Sequence, residues 1–172
     1  GGAGDAAALA ATGPIDLHSS LLRILPGAPG GAEALRLGAG GAVLRNLILD
    51  GGDGAGRAHL RLEPGAEPAV LDRVLFVADP GCGAGGAYVR RATEVACSVA
   101  AIRAIDAGWD PLLGDPHWID PAAGDYRLGL SSAAVDTGTS DGAPAVDLGG
   151  AVRGGDGNGD GAPGWDIGPW ER

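Results

Sequence analysis

Apolar residues fall in short bursts between glycines, and the bursts keep step with one another. "AVLRNLILDGG" from Ala42, "AVLDRVLFVADPG" from Ala69 and "EVACSVAAIRAIDAG" from Glu94 superpose with Leu44, Leu71 and Ala96 in one column. Leu47, Val74 and Val99 make a second column, and Leu49, Phe76 and Ala101 a third, each advancing by 27 and then 25 residues. Upstream of each burst lies a shorter one: "ALRL" at 34–37, "HLRL" at 59–62 and "AYVRR" at 87–91. The period-two alternation of "LRL", bounded by turn residues such as "GAGG" and "EPGAEP", predicts two short strands per unit. No unit carries ten residues of 3.6 periodicity, so helices are not expected between the strands. "LLRIL" at 21–25 predicts part of an earlier unit.

A strand of three to five residues cannot bury its apolar face alone. It can when the next unit stacks on it about 4.8 Å away with like residues in register. The spacing therefore predicts an all-β chain, a parallel β-helix of about three to four rungs over residues 15–108. "GGAGDAAALAATGP", residues 1–14, reads as a flexible N-terminal segment too small and polar to cover a core. Residues 109–172 lose the repeat and read as an irregular C-terminal cap rich in Trp, Asp and Gly. All four tryptophans, Trp109, Trp118, Trp165 and Trp170, fall in that segment, as covering an open core end requires; a sugar-stacking platform is the other reading.

Each main burst is followed by Asp-x-Gly, at Asp50, Asp79 and Asp106. A repeated turn explains this, with Asp bonding the backbone and Gly supplying a positive φ. A column of carboxylates for a cation or sugar is the alternative, though the spacings of 29 and 27 do not match those of the strands.

Composition then removes whole classes of function. All twelve basic residues are Arg; without lysine there is neither a P-loop nor a Schiff-base enzyme. Of the net charge of −10, residues 106–172 carry −9, twelve acids against three Arg. Nucleic acid is not an expected partner, since phosphate binding needs a positive face. No stretch reaches the length of a membrane span and no basic-then-apolar leader is visible. Opening without Met, the sequence reads as a mature form or an excised piece. Cys82 and Cys97 would close a loop of sixteen residues and, if oxidised, stabilise by about 3 kcal/mol. Two separate buried thiols are the alternative.

The C-terminal segment resembles the ending of secreted bacterial right-handed parallel β-helix proteins, the group with the choice-of-anchor Q domain and its pectate-lyase-like relatives. Asp110, Pro111 and Leu112 match a "DPLF" opening, and Asp120, Pro121, Gly124, Asp125, Tyr126, Arg127 and Leu128 match "DP..GDYRL". Ser132, Ala134, Val135, Asp136 and Gly138 match "SPAIDAG", and Asp147, Gly150 and Arg153 match "D.DG.PR". Trp165, Asp166, Ile167, Gly168 and Glu171 match the closing "VDIGAYE". Ala133 stands in place of Pro, and Pro169 and Trp170 in place of Ala and Tyr. The resemblance implies a right-handed β-helix on the bacterial surface or outside the cell, with this segment closing its last rungs.

Between these motifs, "DGNGDG" sets Asp156, Asn158 and Asp160 on alternate positions before Gly161, the first half of a calcium loop. Position 12 is Ile167 rather than Glu, so an EF-hand is excluded. Asp166, with the carbonyl of Ala162, is expected to complete a structural calcium shell.

Two functions follow. The first is a non-enzymatic extracellular structural or adhesive module, stacking end to end on itself or meeting an extracellular polysaccharide or surface. The alternative is a polysaccharide lyase or hydrolase of the pectate-lyase-like class, with Asp50, Asp72, Asp79, Arg45 and Arg73 as its parts. Arg45 and Asp72 sit 27 apart, where a structural ion pair between neighbouring units accounts for both. His18, His59 and His117 are scattered, with no spacing that supports another mechanism.

Overall fold

The apolar bursts become strands that lie on one another in parallel. The computed structural model describes residues 6–25, 27–28, 30–52, 56–77, 82, 85–92 and 94–172. Asp79 and the opening five residues lie outside the described residues. In chain order the elements are β1 (Ala7–Ala11), β2 (Asp16–His18), β3 (Leu21–Arg23), β4 (Glu33–Leu37), β5 (Val43–Arg45), β6 (Ile48–Asp50) and β7 (Ala58–Leu62). They continue with β8 (Val70–Val77), β9 (Ala87–Arg91), β10 (Glu94–Ala96), α1 (Val99–Ile105), β11 (Asp110–Gly114), β12 (Trp118–Asp120) and β13 (Asp125–Leu128).

One sheet runs β1-β4-β7-β9-β10, parallel as far as β9 and antiparallel at β10. The other runs β2-β5-β8-β6-β3, all parallel, with β11 also on β8. A hairpin of β12 and β13 stands apart. Like residues face like: Leu35 opposes Leu60, Leu44 opposes Leu71, and Ile48 opposes Leu75. The 27-residue columns through Leu44–Leu71 and Leu49–Phe76 and the 25-residue offset of β4 and β7 are thus those of the sequence pattern. Leu21–Arg23 lies in register on Ile48–Asp50, as the earlier unit requires.

β8 pairs β5 with its first half and β6 with its second, so β5 and β6 are one line bent at Asn46. Ser19, Asn46 and Arg73, each 27 residues from the next, all have left-handed backbone, at φ 44, 50 and 52. Asn adopts this conformation more readily than most residues. Asn46, fully buried, donates its backbone N–H to Asp72 O at 3.2 Å.

Three expectations need correction. The third burst does not extend the ladders: Glu94–Ala96 turns back antiparallel on β9, and Val99 and Ala101 lie in α1. Ser98 starts that helix by accepting the Ala101 N–H at 3.1 Å, and an Ala-containing run with good helix propensity follows it. β11 instead continues the second sheet, with Leu112 opposite Leu75 and Leu113 opposite Phe76. Residues 1–14 are not wholly flexible, because Ala7–Ala11 pairs in register with β4; the pairing, not the apolarity of the segment, makes it a strand. Finally, the C-terminal segment closes the end of the core only through its first residues, Trp109 and β11, and the rest of it lies elsewhere.

The reason is a second core. The main cluster lies between the sheets and includes Leu35, Leu44, Leu47, Leu49, Leu60 and Phe76. Ile102 of α1 and Trp109, 3% exposed, belong to it, so helix and Trp109 cover the late side. Ile48 and Leu75 point the other way and pack with Leu128, Ala134, Val135 and Ile167. The continuous apolar runs "LIL" and "VLFV" therefore mark a sheet buried on both faces. Residues 129–172 are its lateral cover. The Gly168 N–H bonds Asn46 O at 2.8 Å, and a Cβ on Gly168 would stand 2.7 Å from Ile48 Cδ1. The Asn46 side chain bonds both the carbonyl and the N–H of Thr139, at 2.6 and 2.8 Å. Cys82 and Cys97 form a disulfide.

Asn46→Ala removes both side-chain bonds and leaves a Cβ residue in left-handed backbone, so urea denaturation should register a loss of about 2–3 kcal/mol. Asn46→Gly, which relieves only the backbone, should recover about 1 kcal/mol of it. Equal losses would mean the corner conformation is not under strain.

Candidate functional site

Beyond β13 the chain forms hardly any regular ladder; an isolated bridge joins Val146 and Val152. Backbone N–H groups there need other acceptors. Carboxylates supply them. Asp136 accepts from Gly157 and Asn158 at 3.2 and 3.0 Å, and Asp147 accepts from Ala151 and Glu171 at 2.7 and 2.9 Å. Asp166 accepts from Asp136 and Arg172 at 2.8 and 2.9 Å. Glu171 takes the N–H of Gly154 on one oxygen at 2.7 Å, and on the other the N–H of Asp166 and Arg153 Nη1, both at 3.2 Å. Arg153 also donates to the carbonyls of Asp166 and Gly168 at 3.2 and 2.8 Å. The side chains of the Arg153–Glu171 pair are 1% and 3% exposed. The motif residues Asp136, Asp147, Arg153, Asp166 and Glu171 are thus one fastening.

Burial pushes the Asp166 carboxyl up to about 6, helped by the charges of Glu171 and Asp136 and opposed by the two N–H donors. For Asp147 burial also acts upward. There the N–H groups of Glu171, Ala151 and Gly149 and the Arg153 charge outweigh it and hold the group below its usual value.

The calcium loop has its own internal bonds. Asp156 accepts from Gly159, Asp160 and Gly161 at 2.8, 3.1 and 2.8 Å, Asn158 from Asp160 at 2.8 Å, and Asp160 from Ala162 at 2.8 Å. Asp156, Asn158 and Asp160 are exposed, whereas Asp166 is fully buried with both oxygens engaged elsewhere. Among the described residues no three His, Cys, Asp or Glu side chains gather as a metal-holding group. Asp166 therefore does not complete the shell: the fastening uses the carboxylate that the loop spacing assigned to a cation.

The residues of the enzyme reading are dispersed in ion pairs. Asp50 lies 2.8 Å from Arg23 and accepts the Gly52 N–H at 2.9 Å. Arg45 is 3.9 Å from Asp72 and 2.9 Å from Asp141. Arg73 and Arg103 share Asp110, at 3.3 and 2.7 Å. Asp106 accepts the Gly108 N–H at 2.8 Å, so the Asp-x-Gly turn forms at both described positions. His59 is buried against Phe76 and Tyr88, with Nε2 2.8 Å from Val77 O. His18 lies 2.6 Å from Asp16, and the exposed pair His117 and Asp115 3.8 Å apart.

Of the four tryptophans, only Trp109 enters the main core. Trp118 packs on the second cluster and meets Tyr126 edge-on at 5.6 Å. Trp165 and Trp170 are half-buried on the cover, where Gly154 and Gly149 let their rings approach; a Cβ on either would stand 3.2 Å from a ring atom. Trp170 lines a groove of about 970 Å³ between the β2–β3 corner, the β12–β13 hairpin and the cover. Val146 and Leu148, 46% and 72% exposed, form part of its rim. The sequence reading missed this groove, although Leu148 in a stretch without strand pattern was a signal. No protein-family model matches the chain, and no curated protein or solved structure is significantly similar to it.

The pH dependence follows from two carboxyls of the fastening. Asp166, raised in the fold, adds stability that is complete below its unfolded value of 3.8 and is lost as pH rises through about 6. Asp147, depressed, adds stability that is present above 3.8 and lost on acidification below it. Melting temperature should climb as pH falls from 7 towards 4–5 and drop beyond, and Asp166→Asn should flatten the climb. A melting temperature constant from pH 7 to 5 would refute this account of Asp166.

Proposed function

We propose that the chain is a non-enzymatic extracellular or cell-surface module, structural or adhesive, built as a short right-handed parallel β-helix of the choice-of-anchor Q type. The supporting observation is the pair of in-register parallel ladders, Leu35 on Leu60 and Leu44 on Leu71, with the motif-bearing segment bonded to the corner at Asn46. The disulfide is compatible with an oxidising compartment. No helix among the described residues is long and apolar enough to cross a membrane.

The two sides of the stack differ in their cover. α1 and Trp109 pack on the late side, while β1, β2 and β3 leave Leu9, Leu17 and Leu22 only partly buried at the other edge. Among the described residues no strand pairs beyond β1, β2 and β3, and a parallel edge of this kind suits stacking by another layer, so the self-assembling form of the module stacks end to end. Its mass should rise above 16.8 kDa with concentration in size-exclusion light scattering, and Leu17→Asp should abolish the rise. A constant monomer would remove the stacking form. Incubation with polygalacturonate and calcium should yield no shortened product; product formation that Asp50→Asn or Asp72→Asn abolishes would replace this reading with the lyase one.

Calcium remains part of the proposal in reduced form. Asp156, Asn158, Asp160 and the Ala162 carbonyl would hold it, a weak shell completed by water. Millimolar calcium should raise the melting temperature of the wild type and not of Asp160→Asn, which keeps the acceptor for Ala162 but loses the charge. An unshifted wild type would eliminate the site.

A further inference from the structure

We infer that the groove beside Trp170 binds a short neutral oligosaccharide. The inference deepens the adhesive reading and rests on it for the biological setting, but its geometry is independent of end-to-end stacking. The groove, about 970 Å³, is at the upper end of the usual size of small-ligand sites, roughly 300–1,000 Å³. Its lining is contributed by three separate stretches: Ser19 to Leu21, the β12–β13 hairpin, and the cover around Val146 and Trp170.

Three features define the chemistry. First, the walls are apolar and aromatic, with half-buried Trp170 on one side and Tyr126 on another. Tyr126 is held by Trp118 edge-on at 5.6 Å and by Arg23 5.1 Å over its ring. A rigid ring presenting an apolar surface is what the C–H face of a pyranose packs against. Second, Arg127 grips Asp125 with Nε and Nη2, at 2.9 and 2.6 Å, beside those rings. The pair presents fixed donors and acceptors on an exposed edge, which matches adjacent sugar hydroxyls.

Third, the charges cancel. Arg127 is matched by Asp125 and Arg153 by Glu171, and the carboxylate of Asp147 adds negative charge to the lining. A uronic acid or phosphate would find no spare cation, whereas an uncharged ligand with many hydroxyls would find aromatic surface and hydrogen-bonding groups together.

The test is binding of the intact chain to a panel of pentasaccharides, neutral ones (cellopentaose, mannopentaose, chitopentaose) beside pentagalacturonate, by tryptophan fluorescence and titration calorimetry. At least one neutral member should bind, with Trp170→Ala and Arg127→Ala each weakening it roughly tenfold or more. Leu148→Ser, an exposed rim change, serves as a control that should fold with the wild-type melting temperature, as should Arg127→Ala. Absence of binding by all three neutral sugars overturns the inference. So does tighter binding of pentagalacturonate, or neutral binding that neither Trp170→Ala nor Arg127→Ala affects. Dimerisation abolished by Leu148→Asp, without sugar binding, would assign the groove to a second copy instead. If sugars bind and the polygalacturonate assay also yields product, the groove stands and the non-enzymatic reading falls. If neither occurs, only the groove falls.

Discussion

A sheet with two apolar faces must be covered twice. In this chain the second sheet turns Leu47, Leu49 and Phe76 inward and Ile48 and Leu75 outward, so the same strands feed two cores. A single stack of strands would leave the outer face wet. At roughly 25 cal/mol per Å² of apolar surface, exposure of Ile48, Leu75 and the cover residues Val135 and Ile167 would cost several kcal/mol, comparable with the whole stability of a small domain. The lateral position of residues 129–172 follows from this need, and the carboxylate fastening follows from the lateral position.

A cover made of turns lacks the ladder that holds a strand. Its N–H groups would be orphaned against the sheet, each costing about as much as a lost hydrogen bond. Short acids solve this locally because one carboxylate accepts from two or three amides, as Asp156 does with Gly159, Asp160 and Gly161. Glycine-rich sequence lets the amides converge, and Asp supplies the acceptor. The concentration of acid in the last third of the chain is thus explained in large part by backbone satisfaction. Burial is the main cause of Asp166 being pushed up to about 6, and the charges of Glu171 and Asp136 gathered beside it add to the rise, while Arg153 pairs with Glu171.

Repetition at 27 residues was legible because identical side-chain environments recur one strand apart, and pairs such as Leu44–Leu71 and Leu49–Phe76 lie where the columns set them. The corner residues Ser19, Asn46 and Arg73 follow the same interval, but no common side chain marks them, only a shared left-handed backbone. The third burst misled because Ala and Val fit helix and strand alike. Ser98 as an N-cap decided for the helix, and the true partner of β8 came later at Pro111–Gly114. At the C-terminus the motif residues were legible as a group while their role was not. "DGNGDG" and "WDIG" look like cation ligands in one dimension, yet Asp166 is oriented by two amides from Asp136 and Arg172, a relation no spacing rule encodes.

Covering a sheet from the side also creates a seam that covering it from the end would not. The cover begins after the β12–β13 hairpin and finishes at Trp170 and Glu171, so hairpin, early strands and chain end converge beside Ser19. Three stretches converging from different parts of the chain cannot fill space as closely as residues within one ladder, and a groove results. Its walls are nevertheless rigid: Tyr126 is pinned by Trp118 and Arg23, and Arg153 by Glu171 and two carbonyls. Binding sites gain most from such preorganisation, because little side-chain freedom is left to lose when a ligand arrives. The interactions that fasten the cover to the second sheet are therefore also those that shape the groove.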